Sequence, residues 1–281
     1  MIRWSNSNIS DIKSFRKLSN NNSIPVLGFG VFNLKERDEF DGALNCALDA
    51  GYRHFDTASI YGNEDMLGRA ISESGVNRSE VFVTTKLWKS DFGYKATINA
   101  LNNSLLRLDM DYVDLYLVHW PQKEKLAETW EAIEEIYTSG KAKAIGVCNF
   151  SIDYLKLLFR HCKIKPMINQ IEHHPYLLQK ELVGFCFDRE IQVVAHSPLM
   201  WGRIVNDDTL KGISYEYKKS PAQIVLRWNL QKGIAVIPKS ANRERIIENA
   251  DIFDFHITES DMNKIDSLDK NLRVGGAPLS L

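Results

Sequence analysis

Four residues able to hold or move a proton sit at or just beyond the ends of short apolar runs. Asp56 closes HFD, Lys86 closes VFVTTK, His119 closes VDLYLVH, and Tyr61 follows Asp56 by five positions in GYRHFDTASIYGNE, residues 51–64. A tyrosine hydroxyl titrates near 10, too high for a ready acid or base at neutral pH unless a neighbouring cation stabilises its phenolate. Lys86 is the candidate cation. Asp56 would keep the ammonium charged and oriented, and His119 would hydrogen-bond the substrate oxygen. These four residue types make a proton donor for a carbonyl being reduced. Singly, each has a plainer use as a cap, a rim aromatic or a partner for a backbone carbonyl. Their joint arrival on successive strand ends is what carries the chemistry.

Two further apolar runs end the same way, AIGVCN at Asn149 and AVIPK at Lys239. A run that stops on a group too costly to bury unpaired reads as a buried strand delivering that group to a solvent-facing rim. Strands are predicted near 27–31, 53–57, 81–86, 113–119, 144–148, 167–172, 192–196 and 234–238. Helices fall between them at about 37–50, 63–74, 93–108, 124–139, 151–161, 179–189 and 220–232, with two more near 242–250 and 258–268. Ahead of them, Phe15 to Leu18 and Ile24 to Leu27 flank SNNNS, where an asparagine can take the left-handed turn of a hairpin. Eight strands alternating with helices fit a (β/α)8 TIM barrel, an α/β fold whose active site lies at the carboxyl ends of its strands. A doubly wound sheet would bring a Gly-rich phosphate loop after its first strand, and LGFG at 27–30 lacks the third glycine. The expected organisation is an N-terminal extension over 1–14 and a single barrel domain over 15–281. Residues 199–218 form the least regular stretch, read as a loop long enough to fold over a ligand.

The 35 basic and 36 acidic residues leave a formal net charge of −1, so no global field gathers nucleic acid or an anionic membrane. Cys46, Cys148, Cys162 and Cys186 show no metal-ligand spacing and read as reduced thiols. With no secretory h-region and no apolar stretch near the roughly 20 residues of a membrane span, a cytoplasmic, monomeric protein is expected. EHHP, Glu172 to Pro175, stacks a carboxylate and two histidines, but strand alternation sends neighbours to opposite faces, so no metal site is expected. IPKSANRERIIEN brings Lys239, Ser240, Asn242, Arg243 and Arg245 to a helix N-terminus, which suits a phosphate.

The chain resembles the aldo-keto reductase family from about Leu18 to about Leu272, at LGFG, FDTASIYGNE, TTKLW, LVHWP, AIGVCNF, INQIEHHP and IPKSANRERIIEN, in family order and spacing. Within it, EVFVTTKLWKSDFGY and YVDLYLVHWP look most like the prostaglandin F synthase and 2,5-diketogluconate reductase type. The resemblance implies a barrel using NADPH, with Tyr61 as general acid, Lys86 and Asp56 tuning it, and His119 orienting the carbonyl. It further implies that Lys239, Ser240, Asn242 and Arg245 grip the adenosine 2′-phosphate and that Glu248 and Asn249 hold the adenine. Asn149 and Gln170 match residues that bond the nicotinamide carboxamide, and His196, Ser197 and Leu199 fall on the family's cofactor-facing strand 7 positions. Phe32, Trp88 and Trp120 match the substrate pocket.

Several positions depart from the family pattern. Cys148 replaces a serine, Met200 a glycine in the pyrophosphate loop, and Phe32 a common pocket tryptophan. His196 replaces the aromatic residue that stacks on the nicotinamide, and is expected to change charge near its ordinary pKa of about 6.5. The tail NLRVGGAPLSL lacks a longer aromatic-bearing loop, which leaves the site open. The function expected is NADPH-dependent reduction of aldehydes and small ketones to alcohols. The alternatives are a nicotinamide-nucleotide sensor on the same barrel with little turnover, and a hydrolase or Schiff-base aldolase, which would leave the 239–245 turn without a purpose.

Overall fold

The computed structural model describes residues 9–276. Of the extension expected over 1–14, residues 1–8 lie outside the described residues, as do residues 277–281 of the tail. Ile9 and Ile12 pack against the core. A hairpin then pairs β1 (Phe15–Lys17) with β2 (Ser23–Pro25), and Asn21 takes the left-handed conformation in its turn, with φ 67°.

Eight parallel strands follow as one sheet in sequence order: β3 (Phe29–Gly30), β4 (His54–Asp56), β5 (Phe82–Leu87), β6 (Val113–Val118), β7 (Ala142–Cys148), β8 (Ile168–Glu172), β9 (Gln192–His196) and β10 (Ala235–Val236). The first and last edges meet through a parallel bridge between Leu27 and Val236, with Gly28 donating to the Val236 carbonyl and Gly30 to that of Pro238. The barrel therefore closes, which removes the unpaired edges an open sheet would leave. LGFG supports that closure by close packing. A Cβ on Gly28 would stand 2.5 Å from His54 Nδ1, so only glycine lets the strand sit against the buried imidazole.

Helices α1 (Arg37–Asp49), α2 (Glu64–Glu73), α3 (Tyr94–Leu108), α4 (Leu126–Thr138), α5 (Ile152–Phe159) and α6 (Lys180–Phe187) connect the strands up to β9. Their buried faces share one apolar core with the strands. The stretch read as a loop, 199–218, differs from expectation. It holds α7 (Asp208–Tyr217), started by Asp207, whose side chain accepts from the Leu210 amide. Met200, Ile204, Leu210 and Ile213 join α8 (Pro221–Gln231) and α10 (Glu259–Asp266) in a second apolar cluster. Met200, at φ 49°, takes the left-handed conformation a glycine would favour. That conformation costs about 1–2 kcal/mol, and burying the methionine side chain to 2% exposure recovers a comparable about 1.5–3 kcal/mol. Helix α9 (Arg243–Ala250) opens directly after β10.

Candidate active site

The strand ends gather the four proton-handling side chains on one face. Asp56 ends β4, Lys86 lies near the end of β5, and His119 follows β6. Tyr61 is brought back by the short helical turn Ser59–Tyr61 that follows β4. Lys86 is fully buried and donates to Asp56 Oδ1 at 2.5 Å, to the Thr57 carbonyl at 2.9 Å and to the Tyr61 hydroxyl oxygen at 3.4 Å. All three ammonium hydrogens thus have acceptors. Because the lysine donates to the phenolic oxygen, Tyr61 keeps its own O–H for another partner.

The electrostatics differ from the expectation for Tyr61. Burial raises its pKa and outweighs the lowering by Lys86, so the hydroxyl is pushed up to about 12 and is firmly protonated at neutral pH. Burial lowers the Lys86 pKa, but Asp56 and Tyr61 outweigh it and hold the ammonium above its ordinary value. His119 is pushed well below the ordinary histidine range, by burial first and then by the Lys86 charge. Its ring is therefore neutral and carries one N–H. His119 Nδ1 is buried with no partner among the described residues. Rings enclose the group: Phe32 lies 5.0 Å from Tyr61, Tyr61 5.6 Å from His119, and Trp88 5.3 Å from His119, centroid to centroid. Phe32 is 55% exposed, which puts it on the outer rim, and Trp120 follows His119 in sequence.

The next strand ends carry the amides. Asn149, left-handed at φ 63°, donates to the His119 carbonyl and accepts from His196 Nε2 at 2.9 Å. Gln170 donates from Nε2 to Asp56 Oδ2 at 2.7 Å, a contact the sequence reading did not foresee. Each amide retains unused capacity, one Oδ1 lone pair on Asn149 and one Nε2 hydrogen on Gln170. The Cys148 thiol reaches Gln170 Oε1 at 3.6 Å, and burial raises its pKa, so it is no nucleophile.

His196 corrects a second expectation. Burial holds its pKa near 4, against a smaller raising influence of Glu172, so it does not change charge near 6.5. Its Nε2 is committed to Asn149 and Nδ1 lies 3.3 Å from the Ser197 hydroxyl. Leu199 is half-buried beside this strand end.

Beyond β10, Ser240 Oγ accepts from the Asn242 amide, and Asn242 caps α9 by accepting from the Arg245 amide. Lys239, Arg243 and Arg245 are exposed, and no ion pair among the described residues engages them. Glu248 and Asn249 lie two turns into the same short helix. Unpaired cations around a helix N-terminus suit an anionic phosphate.

Among the described residues no cluster of three histidine, cysteine, aspartate or glutamate side chains is placed to hold a metal. The two histidines of EHHP, just beyond β8, take different partners: His173 Nδ1 pairs with Asn229 Oδ1, and His174 Nε2 with Glu172 Oε1. The tail does not leave the mouth bare, since Val274 and Gly275 donate to the Glu172 carboxylate. Glu172 was the residue missed. It shares a strand face with Gln170 by the two-residue period, a signal present in INQIE. The four cysteines are free, and no helix among the described residues is long and apolar enough to cross a membrane.

A sequence model of the aldo/keto reductase family matches residues 26–270. The chain is 48% identical over 269 residues to glyoxal reductase of Bacillus subtilis (strain 168), covering 96% of this chain and 98% of that protein. It is 47% identical over 264 residues to 9,11-endoperoxide prostaglandin H2 reductase of Trypanosoma cruzi (strain CL Brener), covering 93% of each. The crystal structure of Bombyx mori aldo-keto reductase in complex with NADP matches with a TM-score of 0.88 at 35% identity, covering 94% of this chain and 97% of that one.

Proposed function

The chain belongs to the aldo/keto reductase family, and from that footing we propose that it reduces aldehydes and small ketones to alcohols with NADPH, using Tyr61 as the general acid. The observation that carries this reading is the Lys86 ammonium, which donates to Asp56 and to the Tyr61 oxygen at once and so leaves the Tyr61 proton free to be given away.

The residues present fit the cofactor. The unpaired cations at the start of α9 suit a phosphate, and Asn149 and Gln170 keep hydrogen-bonding capacity beside the strand ends. Lys239, Ser240, Asn242 and Arg245 would hold the 2′-phosphate, Glu248 and Asn249 the adenine, and Asn149, Gln170, His196, Ser197 and Leu199 the nicotinamide half. When bound, NADPH supplies the hydride that reduces the carbonyl carbon. The relative crystallised with NADP supports this assignment.

The chain's own residues do the rest. Neutral His119 donates to the carbonyl oxygen and polarises it, and Tyr61 gives that oxygen its proton as negative charge develops there. Lys86 stabilises the phenolate left behind, and Asp56 keeps the lysine charged. Phe32, Trp88 and Trp120 exclude water and select compact substrates. The glyoxal reductase relative favours small dicarbonyls as the first substrates to try.

The test is NADPH oxidation, followed by absorbance, across glyoxal, methylglyoxal, simple aldehydes, quinones and keto sugars. Turnover of a dicarbonyl is expected. NADPH binding with no turnover across the panel would replace the reductase reading with that of a nicotinamide-nucleotide sensor.

A further inference from the structure

Glu172 closes β8, and its side chain is almost fully buried. A buried carboxylate needs donors, and three converge on it. His174 Nε2 reaches Oε1 at 2.9 Å, the Val274 amide reaches Oε1 at 2.6 Å, and the Gly275 amide reaches Oε2 at 3.0 Å. Two of these donors come from the end of the chain, 102 and 103 residues away in sequence. Burial would raise the carboxyl pKa, but these donors outweigh it and hold Glu172 below its ordinary value, so it is ionised when it binds the segment.

The segment leads from Glu172 to the active site. A Cβ on Gly275 would lie 2.9 Å from Glu172 Oε2 and 3.8 Å from His196 Cε1, and one on Gly276 would lie 3.1 Å from the Trp120 ring. Consecutive glycines therefore run between the imidazole that ends β9 and the indole that follows β6. At both positions the backbone itself packs against a side chain, so a larger residue would force the Glu172 carboxylate or the Trp120 ring to shift. Upstream the chain is fixed independently, with Arg273 donating to Gln179 Oε1 at 2.7 Å and Leu272 to the Tyr176 carbonyl. Val274 packs against the second apolar cluster. Glu172 thus holds the last turn before the segment crosses the mouth.

We propose that Glu172 is a positioning residue for the substrate pocket: it latches backbone 274–276 between His196 and Trp120, making that backbone a wall that sets how a carbonyl compound enters. The carboxylate touches no reacting atom. Its effect is carried by the segment, so disturbing either partner should disturb the same property. The kinetic consequence rests on the reductase reading. The latch itself does not.

The test is a cycle in the full-length chain: Glu172→Gln, Gly275→Val and the double variant. Glu172→Gln turns one acceptor oxygen into a donor facing a backbone N–H, whereas Gly275→Val leaves the carboxylate intact and pushes the segment away. Each single change is expected to raise KM for a small aldehyde about three- to tenfold while kcat moves less than twofold, and the double variant should be no worse than either. Fully multiplicative losses would mean that Glu172 does not act through the segment and would overturn the proposal. A second readout needs no turnover. Release of the segment loosens the Arg273–Val274 bond, so trypsin should cut there several-fold faster in both single variants at a temperature well below the Tm of either. Unchanged cleavage there would overturn the latch, whereas faster cleavage in a protein that turns over no carbonyl would keep the latch and sink only the reductase reading.

Discussion

Lys86 Nζ stands 3.4 Å from the Tyr61 hydroxyl oxygen and is the donor in that contact. The direction matters more than the length, because contacts of this kind are often long before substrate binds. A tyrosine that accepts from a cation on one side can release its proton on the other.

Tyr61→Phe is expected to lower the rate of carbonyl reduction at least about 10²-fold, the lower bound of a general acid's usual contribution, while NADPH affinity stays nearly unchanged. Retention of more than about a tenth of the wild-type rate in single-turnover measurements would remove Tyr61 from the role. The pH profile has a definite sign. Reduction requires the protonated hydroxyl, which is pushed up to about 12, so turnover should stay flat across neutral pH and fall only toward strongly alkaline conditions. The reverse oxidation requires the phenolate and should rise with pH. Lys86→Met should be comparably severe, since it removes the charge that limits how far the tyrosine pKa climbs.

Gln170 separates two roles by experiment. Its amide donates to Asp56 Oδ2, and Asp56 is 2% exposed, so Gln170→Met leaves a buried carboxylate oxygen short of a donor. A lost buried hydrogen bond of this sort costs about 1–3 kcal/mol. If the bond to Asp56 is the amide's main work, kcat should fall about tenfold with NADPH affinity retained. A loss confined to NADPH affinity would assign the amide to the carboxamide instead.

Cofactor choice should rest on the cations beside α9. Arg245 and Lys239 have no carboxylate partner among the described residues, and only the phosphorylated cofactor gives them one. A charge-assisted hydrogen bond is worth about 1.5–3 kcal/mol, or about ten- to a hundredfold in affinity. Arg245→Ala should weaken NADPH by that factor and NADH hardly at all in fluorescence titrations. Equal weakening of both would place something other than the 2′-phosphate on this turn.

What the sequence made legible was local. Several barrel strands are short, largely apolar runs that stop on an ionisable or amide residue, so HFD, VFVTTK and AIGVCN announce both a strand and what it delivers. Helix α7 was harder to see. Between Asp207 and Tyr217 the apolar positions are few, and Gly212 interrupts them, so the start depends on one Asp207 cap that only packing on α8 and α10 makes worthwhile. The balance of burial against charge at Tyr61 and His196 depends on how deeply each ring sits, a depth set by residues far away in sequence. The Glu172 latch is the extreme case. Its partners lie about a hundred residues downstream, and no local period connects INQIE to RVGG.

The histidine at the end of β9 gives the sharpest test of that electrostatic balance. An imidazole beside the nicotinamide, if protonated, would oppose the positively charged oxidised ring more than the neutral reduced one, so NADP+ affinity would fall relative to NADPH as pH dropped through its pKa. On sequence alone that bend belongs near 6.5. In the structure, burial lowers the His196 pKa to about 4, and its Nε2 is engaged with Asn149 Oδ1 at 2.9 Å. The imidazole is therefore neutral above about pH 5, and the ratio of NADP+ to NADPH affinities should be constant between about pH 5.5 and 8. Titration of the 2′-phosphate is common to both cofactors and cancels in that ratio. His196→Tyr, which brings a larger ring and no basic nitrogen, should tighten both cofactors by about 0.5–1.5 kcal/mol through stacking and leave the ratio as flat as before. A wild-type ratio that bends near pH 6 and flattens in His196→Tyr would mean that the imidazole is far better solvated than its burial against Asn149 and the 274–276 segment implies.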